Sequence, residues 1–105
     1  MHAWILLSIA ILFEVAGTTA MKFSSGFLYF WPSVLLFTFY ALAFIALTLA
    51  LKKLDLSIAY AIWAGVGTLL ITFIGFYFFS EDISLLKIIF LSLIIIGVVG
   101  LRLTT

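Results

Sequence analysis

Charged residues divide the chain into four long apolar stretches. Lys22 follows the first stretch, Lys52 and Lys53 follow the second, and Glu81 with Asp82 follows the third. Each stretch holds about 19–22 residues, which at a rise of ~1.5 Å per residue is long enough to cross the ~30 Å hydrocarbon core of a bilayer. The pattern therefore predicts four membrane-spanning helices in a single domain of residues 1–105, at about residues 3–21, 32–51, 58–79 and 84–103.

The connections between these stretches hold only a few residues, so consecutive helices are expected to run antiparallel as neighbours. Pro32 falls in the first turn of the second helix, where its missing N–H costs little. Ser57 is expected to cap the third helix. The predicted fold class is all-α, an integral membrane bundle of four helices.

Composition supports this assignment, because 68% of the residues are hydrophobic, 9% are charged, and the mean hydropathy is +1.48. A small soluble domain buries only about 60–70% of its chain's surface and cannot hide so much apolar area. The net charge of +1 and the lack of a basic run argue against nucleic acid as a partner. Cysteine is absent and no phosphate-binding glycine motif occurs, so we expect no cofactor and no metal.

Glu14 stands alone in the uncharged run from Ala3 to Met21. An acid near the bilayer midplane costs roughly 2.5–3.5 kcal/mol on insertion scales, and such residues usually line a polar path or bind a cation. Every Lys and Arg lies near a helix end and would extend outward to the interface, which disfavours a structural salt bridge. Glu14 is therefore predicted to bind protons and a cationic substrate.

Side chains at the same depth complete a candidate cation site. Small residues three and four positions from Glu14 let another helix or a ligand come close. A tyrosine in the second helix offers a hydroxyl, and an aromatic pair in the third offers faces that attract cations, quaternary ammonium ions in particular. The residues expected to bind substrate with Glu14 are Ala10, Gly17, Thr18, Tyr40, Tyr60 and Trp63.

Two pairs of glycines are candidates for structural roles. Gly65 and Gly67 leave the centre of the third helix with little side-chain bulk, which suits either a conformational hinge or close packing. Gly97 and Gly100 form a small face on the fourth helix, which is expected to pack in a dimer.

The Lys and Arg residues are nearly balanced between the two ends of the bundle. One end carries Lys52, Lys53 and Arg102, and the other carries Lys22 and Lys87. Because orientation follows the Lys/Arg bias, this chain is a candidate for insertion in both directions. A fixed topology set by the modest bias is the alternative.

Three segments resemble the small multidrug resistance transporters over essentially the whole chain. They are Glu-Val-Ala-Gly-Thr-Thr-Ala-Met-Lys-Phe-Ser at 14–24, Trp-Pro-Ser at 31–33, and Ala-Tyr-Ala-Ile-Trp-Ala-Gly-Val-Gly at 59–67. The resemblance implies an antiparallel homodimer in the bacterial inner membrane that exchanges protons for cationic hydrophobic compounds, and it implies no enzymatic activity. It also implies that Glu14 binds proton and drug, with Thr18 beside it and Tyr40, Tyr60 and Trp63 lining the site.

Gly17 and Tyr40 resemble the quaternary-ammonium exporters of this family. The guanidinium exporters tend to carry Trp in place of Gly17 and Ser near position 43, where this chain has Ala43. Family members often pair a glycine with Gly97 at the position of Phe90, so the dimer contact of the fourth helix is expected to differ in detail. The alternatives are a guanidinium exporter, one subunit of a paired heterodimer, and a structural or proteolipid-like membrane protein.

Overall fold

The chain folds into four antiparallel helices joined by short connections. The computed structural model describes residues 2–104, with helices α1 (His2–Phe23), α2 (Phe30–Ala50), α3 (Leu56–Phe78) and α4 (Leu85–Leu103). Each helix is long and apolar enough to cross a membrane. The prediction of an all-α bundle of four spans is confirmed.

The helix starts show how local chemistry sets the boundaries. Helix α2 begins at Phe30, and Pro32 lies in its first turn, as expected. The prediction that Ser57 caps α3 is wrong, because Asp55 occupies the N-cap position with an extended backbone. The Asp55 carbonyl already accepts the first helical hydrogen bond, from the Ala59 N–H at 3.0 Å, and Ser57 therefore lies inside the first turn.

The connection between α1 and α2 is organised around Ser24, which is only 1% exposed. Its hydroxyl donates to the Met21 carbonyl at 2.7 Å and accepts from the Phe27 N–H at 3.3 Å. The backbone then turns through Ser25, Gly26 and Phe27 with φ values of 48°, 68° and 70°. Ser24 thus satisfies backbone groups that the left-handed turn would leave without partners.

Helix α1 is the central element, because it packs against both α2 and α3. The core cluster joins Leu7, Ile11 and Val15 of α1 to Ala50 at the end of α2 and Ala59 of α3. Alanines at these contacts let the helix backbones approach closely, which is the usual way in which membrane helices pack. A residue in the middle of α1 is therefore held between two other helices.

Helix α4 is peripheral and has no buried residue within the described chain. Among residues 2–104, its backbone approaches that of α3 and of no other helix. A Cβ placed on Gly65 would overlap the Cγ2 of Val98, so α4 rests directly on the α3 backbone there. At the end of the bundle, the Arg102 guanidinium lies 4.5 Å from the centre of the Trp4 ring and connects α4 to α1.

Replacing Gly65 by Ala should displace α4 from α3. The added methyl overlaps Val98, and overpacking of this kind typically costs about 1–3 kcal/mol. We expect the melting temperature of the purified protein in detergent to fall in Gly65→Ala and to recover in Gly65→Ala/Val98→Ala, which removes the opposing methyls. A double variant no more stable than the single one would contradict this contact.

Candidate functional site

Glu14 lies near the middle of α1, twelve residues after His2 and nine before Phe23. Its side chain is half-buried. All five basic residues lie in or next to the connections or the terminal turns of the helices, at Lys22, Lys52, Lys53, Lys87 and Arg102. The carboxylate therefore has no basic residue at its own depth in the bundle.

Hydroxyl groups from two helices fix the orientation of the carboxylate. The Thr18 Oγ1, one turn further along α1, donates to the Glu14 Oε1 at 3.0 Å. The same Oγ1 lies 2.6 Å from the Tyr40 hydroxyl on α2. A hydroxyl has a single hydrogen, so when Thr18 donates to Glu14 the Tyr40 hydroxyl must donate to Thr18. Helix α2 thus acts on Glu14 through Thr18.

Gly67 makes room for the carboxylate on the α3 side. A Cβ at Gly67 would lie 3.3 Å from the Glu14 Oε2, so a larger residue would crowd this oxygen. Gly65 instead lies under Val98 of α4. Gly67 therefore lets the Glu14 carboxylate approach α3, and Gly65 lets α4 approach it. Helix α3 itself remains uninterrupted. The role of the two glycines as a hinge stays a prediction.

A cavity of about 410 Å³ lies between α1 and α3 in front of the carboxylate. This volume is in the range of small-molecule sites, roughly 300–1,000 Å³. The α3 side of the cavity is open, since Tyr60 is 59% exposed. The functional groups in its lining are those of Glu14, Thr18, Tyr60, Trp63, Thr68 and Thr72.

The indole of Trp63 is the least satisfied group of the cavity. Its Nε1 is buried and has no hydrogen-bond partner among the residues that the structure describes. The Tyr60 ring meets the indole edge-on at 5.6 Å between centroids, and Phe44 of α2 does so at 6.1 Å. An unpaired buried N–H costs about 1–3 kcal/mol, so this group favours a partner from outside the chain, a ligand or a second copy.

Three of the predicted site residues lie outside the lining of this cavity. Tyr40 reaches Glu14 only through Thr18. Gly17 lies against the Tyr40 ring, since a Cβ there would be 2.9 Å from the Tyr40 Cδ1, and Ala10 is fully buried. The missing side chain at Gly17 thus allows α2 to pack closely against α1.

The small residues of α4 lie on an open surface. Gly97 and Gly100 are exposed, and a Cβ on either would meet nothing within 4 Å. Their role in a dimer stays a prediction.

Sequence reasoning missed Thr68 and Thr72, which both line the cavity. The available signal was the four-residue spacing that continues from Tyr60 through Ala64, because such residues share one face of a helix. Ala43, by contrast, is 1% exposed and lies outside the cavity lining. The residue used above to argue against guanidinium transport thus does not face this cavity.

The chain matches known proteins over nearly its whole length. The family model described as Small Multidrug Resistance protein matches residues 2–94. The chain is 55% identical over 100 residues to the uncharacterized membrane protein YvaE of Bacillus subtilis, covering 95% of this chain and 84% of that protein. It is 45% identical over 103 residues to the multidrug transporter EmrE of Escherichia coli, covering 98% and 94% of the two chains.

A further relative is the quaternary ammonium compound-resistance protein QacF of Klebsiella aerogenes. It is 42% identical over 103 residues, which cover 98% of this chain and 94% of QacF. With four apolar spans, the chain is a multi-pass protein of the bacterial inner membrane, and its family is one of transporters rather than enzymes. The chain belongs to the small multidrug resistance protein family.

Proposed function

We propose that the chain works as an antiparallel homodimer that exports hydrophobic organic cations, quaternary ammonium compounds among them, in exchange for protons. Proton and cation compete for Glu14. The observation that carries the proposal is the half-buried Glu14 carboxylate in mid-span, facing a cavity with Tyr60 and Trp63 and with no basic residue at its depth.

The names of two relatives support this substrate class. EmrE is a multidrug transporter, and QacF is a quaternary ammonium compound-resistance protein. The cavity chemistry agrees with these names. A quaternary ammonium ion cannot donate a hydrogen bond, so it binds through its charge and through contact with aromatic faces. Glu14 provides the charge, and Tyr60 and Trp63 provide the aromatic faces.

Competition for one carboxylate is sufficient to couple the two fluxes. A free carboxylate in the hydrocarbon region is costly, whereas a protonated or cation-paired carboxylate costs less. The loaded forms should therefore change the side to which the cavity opens more readily than the empty, charged form. Under this scheme the proton gradient drives export, and no nucleotide is required.

Two features favour a second copy of the chain. The α3 side of the cavity is open, and α4 presents an apolar surface without a buried residue in the described chain. A second chain would cover these surfaces and bring a second Glu14 to the same cavity. If the copies are antiparallel, inward-open and outward-open forms are equivalent, as in transporters built from inverted repeats.

The Thr18–Tyr40 pair has a positioning role in this scheme. By donating to Oε1, the Thr18 hydroxyl holds the carboxylate against Gly67 and leaves Oε2 on the α3 side. Tyr40 keeps the Thr18 hydrogen directed at Glu14. Both residues thereby act on substrate through Glu14.

Replacing Glu14 by Gln should abolish pH-gradient-driven uptake of a quaternary ammonium ion into proteoliposomes. The amide keeps the shape of the side chain but neither releases a proton nor neutralises a cation. Glu81→Gln is the matched control, because Glu81 lies in the α3–α4 connection and should leave uptake intact. The oligomeric state of Glu14→Gln in detergent is expected to be unchanged. Undiminished gradient-driven uptake by Glu14→Gln would rule out the proposed coupling.

The near balance of Lys and Arg residues between the two ends of the bundle predicts that some copies of the chain insert in one orientation and some in the other. Three Lys/Arg residues lie at one end of the bundle and two at the other, at Lys22 and Lys87. Carboxy-terminal fusions to a cytoplasmic reporter and to a periplasmic reporter should both be active in Escherichia coli cells. One Lys added to the α1–α2 connection, or one added to the α2–α3 connection, should shift the Lys/Arg balance between the two ends of the bundle and favour one reporter. Activity of a single reporter for the natural sequence would contradict dual insertion.

A further inference from the structure

Two threonines extend the site along α3 beyond the carboxylate. The Thr68 Oγ1 donates to the Ala64 carbonyl at 2.7 Å, and the Thr72 Oγ1 donates to the Thr68 carbonyl at 2.7 Å. Both residues line the cavity that contains Glu14, and they lie one helical turn apart. We refer to this pair, Thr68 and Thr72, as the threonine ladder.

The hydrogen bonds of the threonine ladder determine what it can offer a ligand. A threonine hydroxyl has one hydrogen and two acceptor lone pairs. In each ladder residue the hydrogen is already donated to a carbonyl of α3. The Thr18 hydrogen is likewise directed at Glu14. The hydroxyl oxygens of all three threonines in the cavity are therefore left as acceptors.

The ladder lies close enough to Glu14 to act on the same ligand. Gly67, the α3 residue that faces the Glu14 Oε2, immediately precedes Thr68. Adjacent Cα atoms are about 3.8 Å apart, and four residues of helix advance about 6 Å along the axis. A cation paired with Glu14 can thus direct an N–H group toward Thr68, and a longer cation can also reach Thr72.

We propose that the threonine ladder makes the site favour organic cations that carry N–H donors, such as protonated amines, amidinium and guanidinium groups. A fully alkylated ammonium ion of the same size has no N–H to donate and gains nothing from these acceptors. This inference rests on the proposed export function and specifies its substrate class. It assigns Thr68 and Thr72 as specificity-determining residues.

The test compares a matched pair of ligands with a matched pair of variants. N-Methylbenzylammonium carries two N–H groups, one for Glu14 and one for the threonine ladder, and benzyltrimethylammonium replaces both hydrogens by methyl groups. Dissociation constants of both ions are measured by calorimetry at one pH on the purified protein in detergent. A hydrogen bond to a charged group is worth about tenfold in affinity. Thr68→Val/Thr72→Val should therefore weaken binding of N-methylbenzylammonium about tenfold and leave that of benzyltrimethylammonium little changed.

The control variant is Thr38→Val/Thr48→Val on α2. These hydroxyls make the same bonds to carbonyls four residues back, at 2.9 and 2.6 Å, but lie outside the cavity lining. The control should bind both ions as the natural protein does. An equal loss for both ions in the ladder variant, or no loss for either, would overturn the inference while leaving the export proposal in place. If the natural protein binds neither ion, the export proposal itself fails and the inference fails with it.

Discussion

The energetic cost of a carboxylate inside the hydrocarbon region is the constraint on which the rest of this structure depends. Two features of the chain accommodate the Glu14 carboxylate without neutralising it. Thr18 donates a hydrogen bond to one oxygen, and the missing side chain of Gly67 leaves space for the other. The cavity in front of Glu14 leaves room beside the carboxylate for the cation that the proposed function requires. A fixed basic partner would neutralise Glu14 permanently and leave no place for the proton and cation of the proposed exchange.

Each helix has a different role at the candidate site, and its contacts determine that role. Helix α1 carries the acid and is held by α2 and α3, so the position of Glu14 is defined from both sides. Helix α2 orients the carboxylate through Tyr40, and α3 forms the aromatic and hydroxyl surfaces of the cavity. Helix α4 contributes no group to the cavity lining and, in the described chain, packs along α3 with a contact to α1 through Arg102 and Trp4. It is thus the element best placed to meet a second copy.

Helical spacing and apolar length made much of this arrangement predictable. The sequence predicts Glu14 as a lone charge in the run from Ala3 to Met21 and Tyr60 with Trp63 as aromatic residues of the same site, and the structure brings all three into one cavity lining. The different roles of Gly65 and Gly67 were not predictable, because a two-residue step turns about 200° around a helix and sends them to opposite neighbours. The start of α3 was misjudged at Ser57, since the choice between adjacent polar residues depends on backbone geometry.

The proposed specificity was the least predictable property, because it depends on where hydroxyl hydrogens point. Of the two residues that distinguish this chain from the guanidinium exporters, Gly17 lies against Tyr40 and Ala43 is buried, and neither lines the cavity. The acceptors invoked by the proposed specificity are the hydroxyl oxygens of Thr68 and Thr72 on α3, whose hydrogens are donated to carbonyls of the same helix. Side chains that stabilise themselves locally therefore also determine what the site presents to a ligand.

The most direct test of the central claim is to count protons released when a cation binds. Addition of a quaternary ammonium ion to the purified protein in weakly buffered detergent solution should acidify the solution at low starting pH. The release should diminish as the starting pH rises, and it should be absent in Glu14→Gln. Cation binding without proton release at any starting pH, or equal release from Glu14→Gln, would contradict competition for this carboxylate.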